Sequence, residues 1–260
     1  FIYPNYSMTN ITYLENDLLD SIEFISQGNQ KKFSTNISEI VQINDFILKS
    51  KNFINNLGFN NKISGLLKNV NSDGNNSTKF KDDSQSEVLS MISYDIDLPL
   101  TKSNYEFNNF LTPKMSFRYS PNDTKSLKND SRSLNSDNIF SLNRIGFDET
   151  IEGGSSLTLG LDFQKKNKKD NSTFLYSKIA TVYREEVNEN LPISTTLGEK
   201  QSDFIGEIGV SPNENFKIDY NYSLNSSFNE MNLHRIENTF TVNNFVNKFT
   251  FYEENNLIGK

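Results

Sequence analysis

The chain contains no cysteine and a single histidine, His234, among 260 residues. Without cysteine there can be no disulfide framework and no thiolate ligand for a metal. A single histidine excludes most zinc sites and most proton-shuttling catalysis, because both depend on imidazole groups acting with other ligands or bases. The sequence therefore predicts neither a metal nor a cofactor, and it gives no sign of an enzyme.

Long apolar runs and an excess of positive charge are also missing. No run of 18 apolar residues occurs, which excludes a transmembrane helix. Acidic residues outnumber basic ones, 33 against 26, and the net charge of -7 argues against nucleic-acid binding, which needs clustered Lys and Arg. Hydrophobic residues make up 35% and the mean hydropathy is -0.60, which is too little apolar material for sheets buried on both faces.

Aromatic residues, by contrast, are plentiful, with 21 Phe and 11 Tyr. Disordered chains are poor in aromatics, so this composition indicates a folded protein. A β-barrel with a wet interior combines many polar residues with many aromatics, since each strand needs apolar side chains on one face only. Its aromatic residues collect at the two membrane interfaces.

Alternation with a period of two residues is the strongest local pattern. In Ser155–Gln164 every second residue from Leu157 to Phe163 is apolar, and polar or small residues stand between them. Asn215–Asn225 and Glu106–Tyr119 show the same pattern. Such alternation predicts strands with one apolar and one polar face. With weaker copies included, we predict roughly twelve strands of about ten residues, the length that crosses a membrane when tilted.

The predicted connections are sorted by length. Long polar loops fall at Asn71–Ser86, Pro121–Thr150 and Glu186–Ser202, and the links between them are shorter. All three long loops have the same parity along the chain, so they would leave the same end of a sheet. Outer-membrane barrels have long loops outside and short turns on the periplasmic side, which favours this architecture. The best helical candidate, Asn16–Ile25, is short and fits a turn followed by a strand equally well.

Residues Asn138–Gly154 carry the most specific motif, N-I-F-S-L-N-R-I-G-F-D-E-T-I-E-G-G, and lead directly into the cleanest alternating strand. This segment resembles the pattern N-L-F-x-x-N-R-x-x-G-x-D-x-x-E-G-G of the alphaproteobacterial LPS-assembly protein family LptD, also called OstA. Other segments similar to that family are Leu98–Leu100, Leu111–Lys114 and Gln201–Gly206 with the following Val210–Pro212. The resemblance covers about residues 95–255, and Glu149 stands where the family usually has Arg.

The resemblance implies an all-β fold, an antiparallel transmembrane β-barrel of which this chain supplies roughly twelve strands. Residues 1–260 would all belong to the LptD-type barrel domain, without the jellyroll domain that LptD proteins carry before it. The implied function is lipopolysaccharide assembly in the bacterial outer membrane, with delivery to the outer leaflet and no chemical reaction. The implied partners are lipopolysaccharide, an LptE-type plug lipoprotein and the periplasmic Lpt bridge, and no nucleic acid.

Charged residues opposite the apolar stripes would face the lumen of such a barrel. They are Lys114, Arg118, Asp162, Glu207, Lys217 and Asp219. The simplest interpretation is that they solvate the lumen and pair across strands. The family resemblance adds a second interpretation, in which the three cations guide the phosphorylated sugars of lipopolysaccharide. The three carboxylates are then structural.

The motif segment itself is expected to brace the long loop against the barrel mouth. The bracing residues are Asn143, Arg144, Asp148, Glu152, Gly153 and Gly154. The glycine pair predicts a strand kink or bulge, since no G-x-G-x-x-G pattern accompanies it. Residues 69–74 have the spacing of a calcium-loop start, but Phe80 stands where the loop needs Glu, which favours an ordinary loop. His234 is interpreted as a strand side chain near a turn.

Three other functions stay open at this point. A different outer-membrane barrel, such as a porin or a nutrient receptor, would share the strand pattern. A soluble β-sandwich that binds glycans could also use one-sided strands. A hydrolase is the most distant alternative, because the carboxylate pairs Asp82-Asp83 and Glu253-Glu254 lie in loop or strand-end sequence, where solvation explains them.

Overall fold

The computed structural model describes residues 6–15, 17–32, 36–77, 80–144, 146 and 149–255. Within these residues the regular structure is fourteen β-strands and one turn of 3-10 helix, Thr196–Gly198. All the strands belong to one antiparallel sheet. In the same part of the chain, no helix has the length and apolar character needed to cross a membrane.

The strands are numbered in chain order. They are β1 (Tyr6–Tyr13), β2 (Leu19–Lys32), β3 (Ser38–Ser50), β4 (Phe53–Ile54), β5 (Asn60–Asn75), β6 (Gln85–Asp97), β7 (Leu100–Ser103), β8 (Phe107–Ser120), β9 (Gly154–Asn167), β10 (Thr173–Arg184), β11 (Phe204–Asn213), β12 (Phe216–Leu224), β13 (Met231–Val242) and β14 (Phe245–Glu254). The short β4 and β7 pair only with β5 and β8, and the other twelve strands form the main path.

The main path is an up-and-down meander, in which each strand pairs with its neighbour in the chain. This order confirms the predicted all-β antiparallel fold and the count of roughly twelve strands. Between β1 and β14 the described residues form no pairing, so the sheet is not closed. The long connections 76–84, 121–153 and 185–203 all leave one end, which we call the long-loop end. The tight links 168–172, 214–215 and 243–244 lie at the opposite, short-turn end.

The polarity of the two faces of the sheet is the reverse of that in a soluble protein, which buries its apolar side chains. Large apolar side chains stand exposed on one face, which we call the apolar face, as at Leu67 (48% exposed) and Phe117 (46%). Polar side chains on the other face are buried, as at Ser116 and Thr158, both 0% exposed. Ser116 and Thr158 are direct cross-strand partners, as period-two alternation requires. A single sheet with exposed apolar side chains on one face is not a β-sandwich, in which two sheets bury such faces against each other. The alternative of a soluble β-sandwich that binds glycans is therefore corrected.

The buried face, which we call the covered face, lies under residues 121–153 and 185–203. One apolar cluster joins Leu134 and Ile139 to Val182 of β10 and to Leu191 and Leu197 of the second connection. A second cluster joins Ile151 to Ile43 of β3, Leu66 of β5 and Met91 of β6. Because residues 121–153 contribute to both clusters, this segment bridges the two halves of the sheet.

One local prediction was wrong. Residues 69–74 were expected to form a loop, but they lie within β5, where Asn71 pairs with Gln42 of β3 and with Ser86 of β6. At residues 69–74, the pairing of β5 on both sides outweighs the weak local preference for a loop. The sequence left residues 16–25 open between a helix and a turn followed by a strand. Residue 16 lies outside the described residues, and residues 19–25 belong to β2, as the second alternative expects.

Candidate functional site

The segment 121–153 is shaped by local turns before it touches the sheet. The side-chain oxygen of Asn135 accepts hydrogen bonds from the backbone N–H groups of Asp137 (2.9 Å) and Asn138 (3.0 Å). The Asn138 amide in turn donates to the carbonyl of Ser133 at 2.9 Å. Such Asx turns fold the chain tightly without a helix or a strand. They direct Ile139 and Phe140 onto the covered face.

Arg144 and Glu152, eight residues apart in the same segment, form a forked ion pair. Nε of Arg144 lies 2.7 Å from Oε2 of Glu152, and its Nη2 donates to Oε1. The guanidinium also donates to the hydroxyls of Thr158 (2.9 Å) and Ser156 (3.1 Å) on the covered face of β9. Both charged side chains are buried, at 2% and 6% exposure. The pair therefore fixes the segment to the strand that follows it.

Two further arginines from the sheet complete this arginine–glutamate centre, which comprises Arg118, Arg144, Glu152 and Arg184. Arg184, at the end of β10, donates to the carboxylate of Glu152 and to the carbonyl of Gly153. Arg118, on β8, donates to the carbonyl of Ile139 at 3.4 Å. Three neighbouring strands, β8, β9 and β10, thus hold the segment at one buried point.

The electrostatics of the centre depend on Glu152. Burial alone would raise the pKa of this carboxyl, but the ion pair and hydrogen bonds with Arg144, together with the charges of Arg184 and Arg118, lower it to about 2. The carboxylate thus stays ionised at any physiological pH. Since a buried guanidinium cannot lose its proton, removal of this negative charge would leave cations without compensation.

A dependence of stability on acid follows from that shift. Because the folded pKa of Glu152 is about 2 and its ordinary value is 4.5, its stabilising contribution is complete above pH 4.5 and is lost as the pH falls through about 2. We expect Glu152→Gln to be less stable than the native chain at pH 7 by a few kcal/mol, and this difference to shrink towards zero near pH 2. Urea unfolding of both proteins at pH 7, 4 and 2 measures it. A difference that stayed constant with pH would contradict the assignment.

The glycine pair that ends the motif has a steric reason at each position. A Cβ on Gly153 would lie 2.2 Å from the backbone oxygen of Asn122. The Gly153 N–H donates to Oγ1 of Thr124 at 2.8 Å, and the same hydroxyl accepts from the amide of Asn188 at 2.9 Å. Gly154 has a φ of +82°, which favours glycine. These contacts join the two ends of segment 121–153 to each other and to the connection 185–203.

The charged residues singled out from the alternation lie on the covered face, and most of them are paired. Lys114 forms an ion pair with Asp162, and its Nζ lies 5.7 Å from the ring centroid of Phe140. Nζ of Lys217 lies 2.8 Å from Oδ2 of Asp219, and the Lys217 side chain remains 48% exposed. Arg118 is only 2% exposed beneath residue 139, so its guanidinium does not reach the surface in this arrangement.

Glu207 and Asp219 share a hydrogen-bond partner that the alternation did not reveal. The hydroxyl of Tyr176, on β10, lies 2.6 Å from a carboxylate oxygen of each. Glu207 also accepts from the hydroxyl of Ser136 at 2.8 Å and lies 3.4 Å from Nζ of Lys178. Segment 121–153 therefore has a second polar attachment, on β11.

A cavity of about 490 Å³ lies between the covered face and the turn at residues 140–143. Lys49, Lys62 and Asp95 line its polar part, while Leu66 and Leu142 line its apolar part. Asn143, from the motif, also faces this cavity. The cavity can accept a molecule with both charged and apolar groups. Among the described residues, no group of three or more His, Asp or Glu side chains could hold a metal.

The structure adds residues to the predicted set, and one predicted residue cannot be placed. Asp148 lies outside the described residues. Arg184 was not predicted, although it stands at an inward position of β10, two residues after Val182. Phe140 was not predicted either; its ring packs over Gly160, where a Cβ would lie 2.6 Å from a ring carbon. Neither contact leaves a signal in sequence spacing, because the partners are far apart along the chain.

Comparison with models of protein families identifies a match. The family model described as LptD, LPS transport system D, matches residues 52–258. The match includes strands β4 to β14 in full and the complete arginine–glutamate centre. A search of curated proteins finds no match.

Proposed function

Because this chain belongs to the LptD family of lipopolysaccharide transport proteins, we propose that it forms part of the wall of an outer-membrane β-barrel that delivers lipopolysaccharide to the outer leaflet. The family is one of transport and assembly, and the whole described sheet is barrel wall in this proposal. The chain makes and breaks no bond. Energy for lipid movement comes from the periplasmic Lpt bridge, and an LptE-type lipoprotein plugs the barrel.

The observation that carries this proposal is the inverted polarity of the sheet. Exposed Leu and Phe side chains on the apolar face suit contact with lipid, whereas buried Ser, Thr and charged groups on the covered face suit a hydrated lumen. Strands of 12 to 16 residues, such as β5, β8 and β10, are long enough to cross the hydrocarbon layer at a tilt. A lipopolysaccharide translocon needs both environments, because its substrate has apolar acyl chains and polar sugars.

In this proposal, segment 121–153 is a fixed inner wall of the lumen. The arginine–glutamate centre holds it at β8, β9 and β10, and its two apolar clusters hold it at either side. The cavity beside residues 140–143 then forms part of the route, with Lys62 available to phosphate groups and Leu142 to acyl chains, while the second lysine of the lining, Lys49, is ion-paired with Glu23.

Lys114 and Lys217 are the accessible guiding cations, with Arg118 behind the segment. We expect the double substitution Lys114→Gln and Lys217→Gln in the full-length protein to lower the amount of new lipopolysaccharide that reaches the cell surface about threefold. A loss of this size is expected because half-exposed charge contacts contribute about 0.5–1 kcal/mol. Labelling of surface lipopolysaccharide after a pulse of synthesis, at matched levels of folded protein, measures the change.

The matched control removes the other half of each ion pair. Asp162→Asn with Asp219→Asn breaks the same two pairs but leaves both lysines in place. If the lysines act on the substrate, transport in this variant stays at the native level or rises. Equal losses in both double variants would mean that the pairs serve only the wall, and the guiding role would be abandoned.

A further inference from the structure

The short-turn end of the sheet carries a concentration of lysines that the transport proposal does not use. Lys165, Lys168 and Lys169 lie on the β9–β10 hairpin, and Lys102 lies on β7 beside it. Lys102, Lys168 and Lys169 are exposed. Among the described residues none of the four lies within ion-pair distance of a carboxylate, whereas three lysines of the covered face, Lys114, Lys178 and Lys217, are paired.

This basic cluster lies at the edge of the apolar face. Lys102 is the cross-strand partner of Asn109, and Asn109 is the partner of Lys165, so the three form one row across β7, β8 and β9. Two residues further from the turn, the same face carries Phe163, paired with Leu111. The row therefore marks the place where the apolar stripe ends and the turn begins.

Two phenylalanine rings support the position of Lys165. Its Nζ lies 4.0 Å from the ring centroid of Phe107 and 5.2 Å from that of Phe174, and the two rings are 5.4 Å apart. Cation–π contact holds the ammonium group over the rings while its donors stay available to another partner. Aromatic side chains at the border of the apolar band are typical of the headgroup level of a membrane.

We infer that this cluster of Lys102, Lys165, Lys168 and Lys169 binds the phosphate groups of anionic phospholipids in the leaflet at the short-turn end. Unpaired ammonium groups at headgroup depth attract an anionic leaflet, and the carboxylates on the same two turns, Glu106 and Asp170, are fewer than the lysines. An acidic protein is the other partner that a lysine cluster could bind, but it would need the cluster to lie away from the bilayer. The row from Lys102 to Lys165 instead continues directly into the apolar face.

The test uses the full-length protein in nanodiscs that contain phosphatidylglycerol and phosphatidylcholine. Spin-labelled versions of each lipid report the fraction of lipid held at the protein surface. We expect the native protein to prefer the anionic lipid, and Lys168→Gln with Lys169→Gln to reduce this preference about tenfold. Lys168→Arg with Lys169→Arg keeps the charge and should keep the preference.

A control at the opposite end removes the same number of charges. Lys128→Gln with Lys200→Gln changes two lysines on the long connections 121–153 and 185–203 and should leave the anionic preference of the short-turn end unchanged. An equal loss in this control would show a general effect of net charge and would overturn the assignment. An unchanged preference for the anionic lipid in the Lys168→Gln and Lys169→Gln variant would also overturn it, whether or not that variant loses the binding of an acidic periplasmic protein.

Discussion

Replacing Glu152 with Gln is expected to lower the free energy of unfolding by about 3–5 kcal/mol at pH 7, the usual cost of removing one partner from a buried ion pair. The loss is large because Arg144 and Arg184 both depend on this carboxylate, and all of these side chains are at most 6% exposed. Urea unfolding in detergent micelles, followed by circular dichroism, measures the change.

The control for this substitution is Glu189→Gln. Glu189 lies 3.6 Å from Nζ of Lys128 but is 80% exposed, and exposed pairs contribute about 0–1 kcal/mol. Limited proteolysis gives a second, local readout. In the Glu152 variant, cleavage within residues 121–153 should precede cleavage of the strands, because the segment loses its attachment first. Equal stability of the two variants would show that the centre does not hold the segment.

The fold was predictable because period-two alternation is a local property of the chain. Leu157, Leu159 and Leu161 share one face of β9 whatever their neighbours are, and Leu159 and Leu161 stand exposed on the apolar face as expected. The order of the strands was not predicted; the structure shows it to be a meander, in which each strand of the main path pairs with the next along the chain. Strand ends were less predictable, because polar residues such as Asn71 still pair when both neighbours are long enough.

The site was predictable only where its residues are near in sequence. Arg144 and Glu152 are eight residues apart in a motif that resembles a known family, and they form the central ion pair. Arg184 is 32 residues from Glu152, and it comes close only because β9 and β10 form a hairpin. The burial of Arg118 depends on the path of residues 121–153 across the sheet, which no local pattern specifies.

The covered face shows why so polar a chain can still bury a core. Residues 121–153 supply Ile139 to one apolar cluster and Ile151 to the other. Arg144 lies between these two contacts in sequence, and its ion-pair partner Glu152 directly follows Ile151. A wall lined by Ser and Thr would otherwise have little apolar surface to hold a connecting segment. Two small apolar clusters and one buried charge centre together replace a continuous core.

The return of this segment to the sheet depends on Gly153. We expect Gly153→Ala to destabilise the folded chain by about 3 kcal/mol, at the upper end of the usual cost of overpacking. The added methyl group would lie 2.2 Å from the backbone oxygen of Asn122 and 3.1 Å from the backbone nitrogen of Thr124. Backbone atoms cannot turn aside as a side-chain tip can, so the segment has to shift. That shift breaks the hydrogen bond from Gly153 to Thr124. Urea unfolding of the variant measures the cost.

Gly65→Ala is the matched substitution for this test. Gly65 lies within β5, and the nearest atom to its added methyl group would be the backbone oxygen of Met91, at an ordinary contact distance of 3.9 Å. This variant should keep the native stability or gain up to about 1 kcal/mol, because alanine reduces the freedom of the unfolded chain. If both variants were equally stable, the close approach at residue 153 would not be what holds the two ends of the segment together.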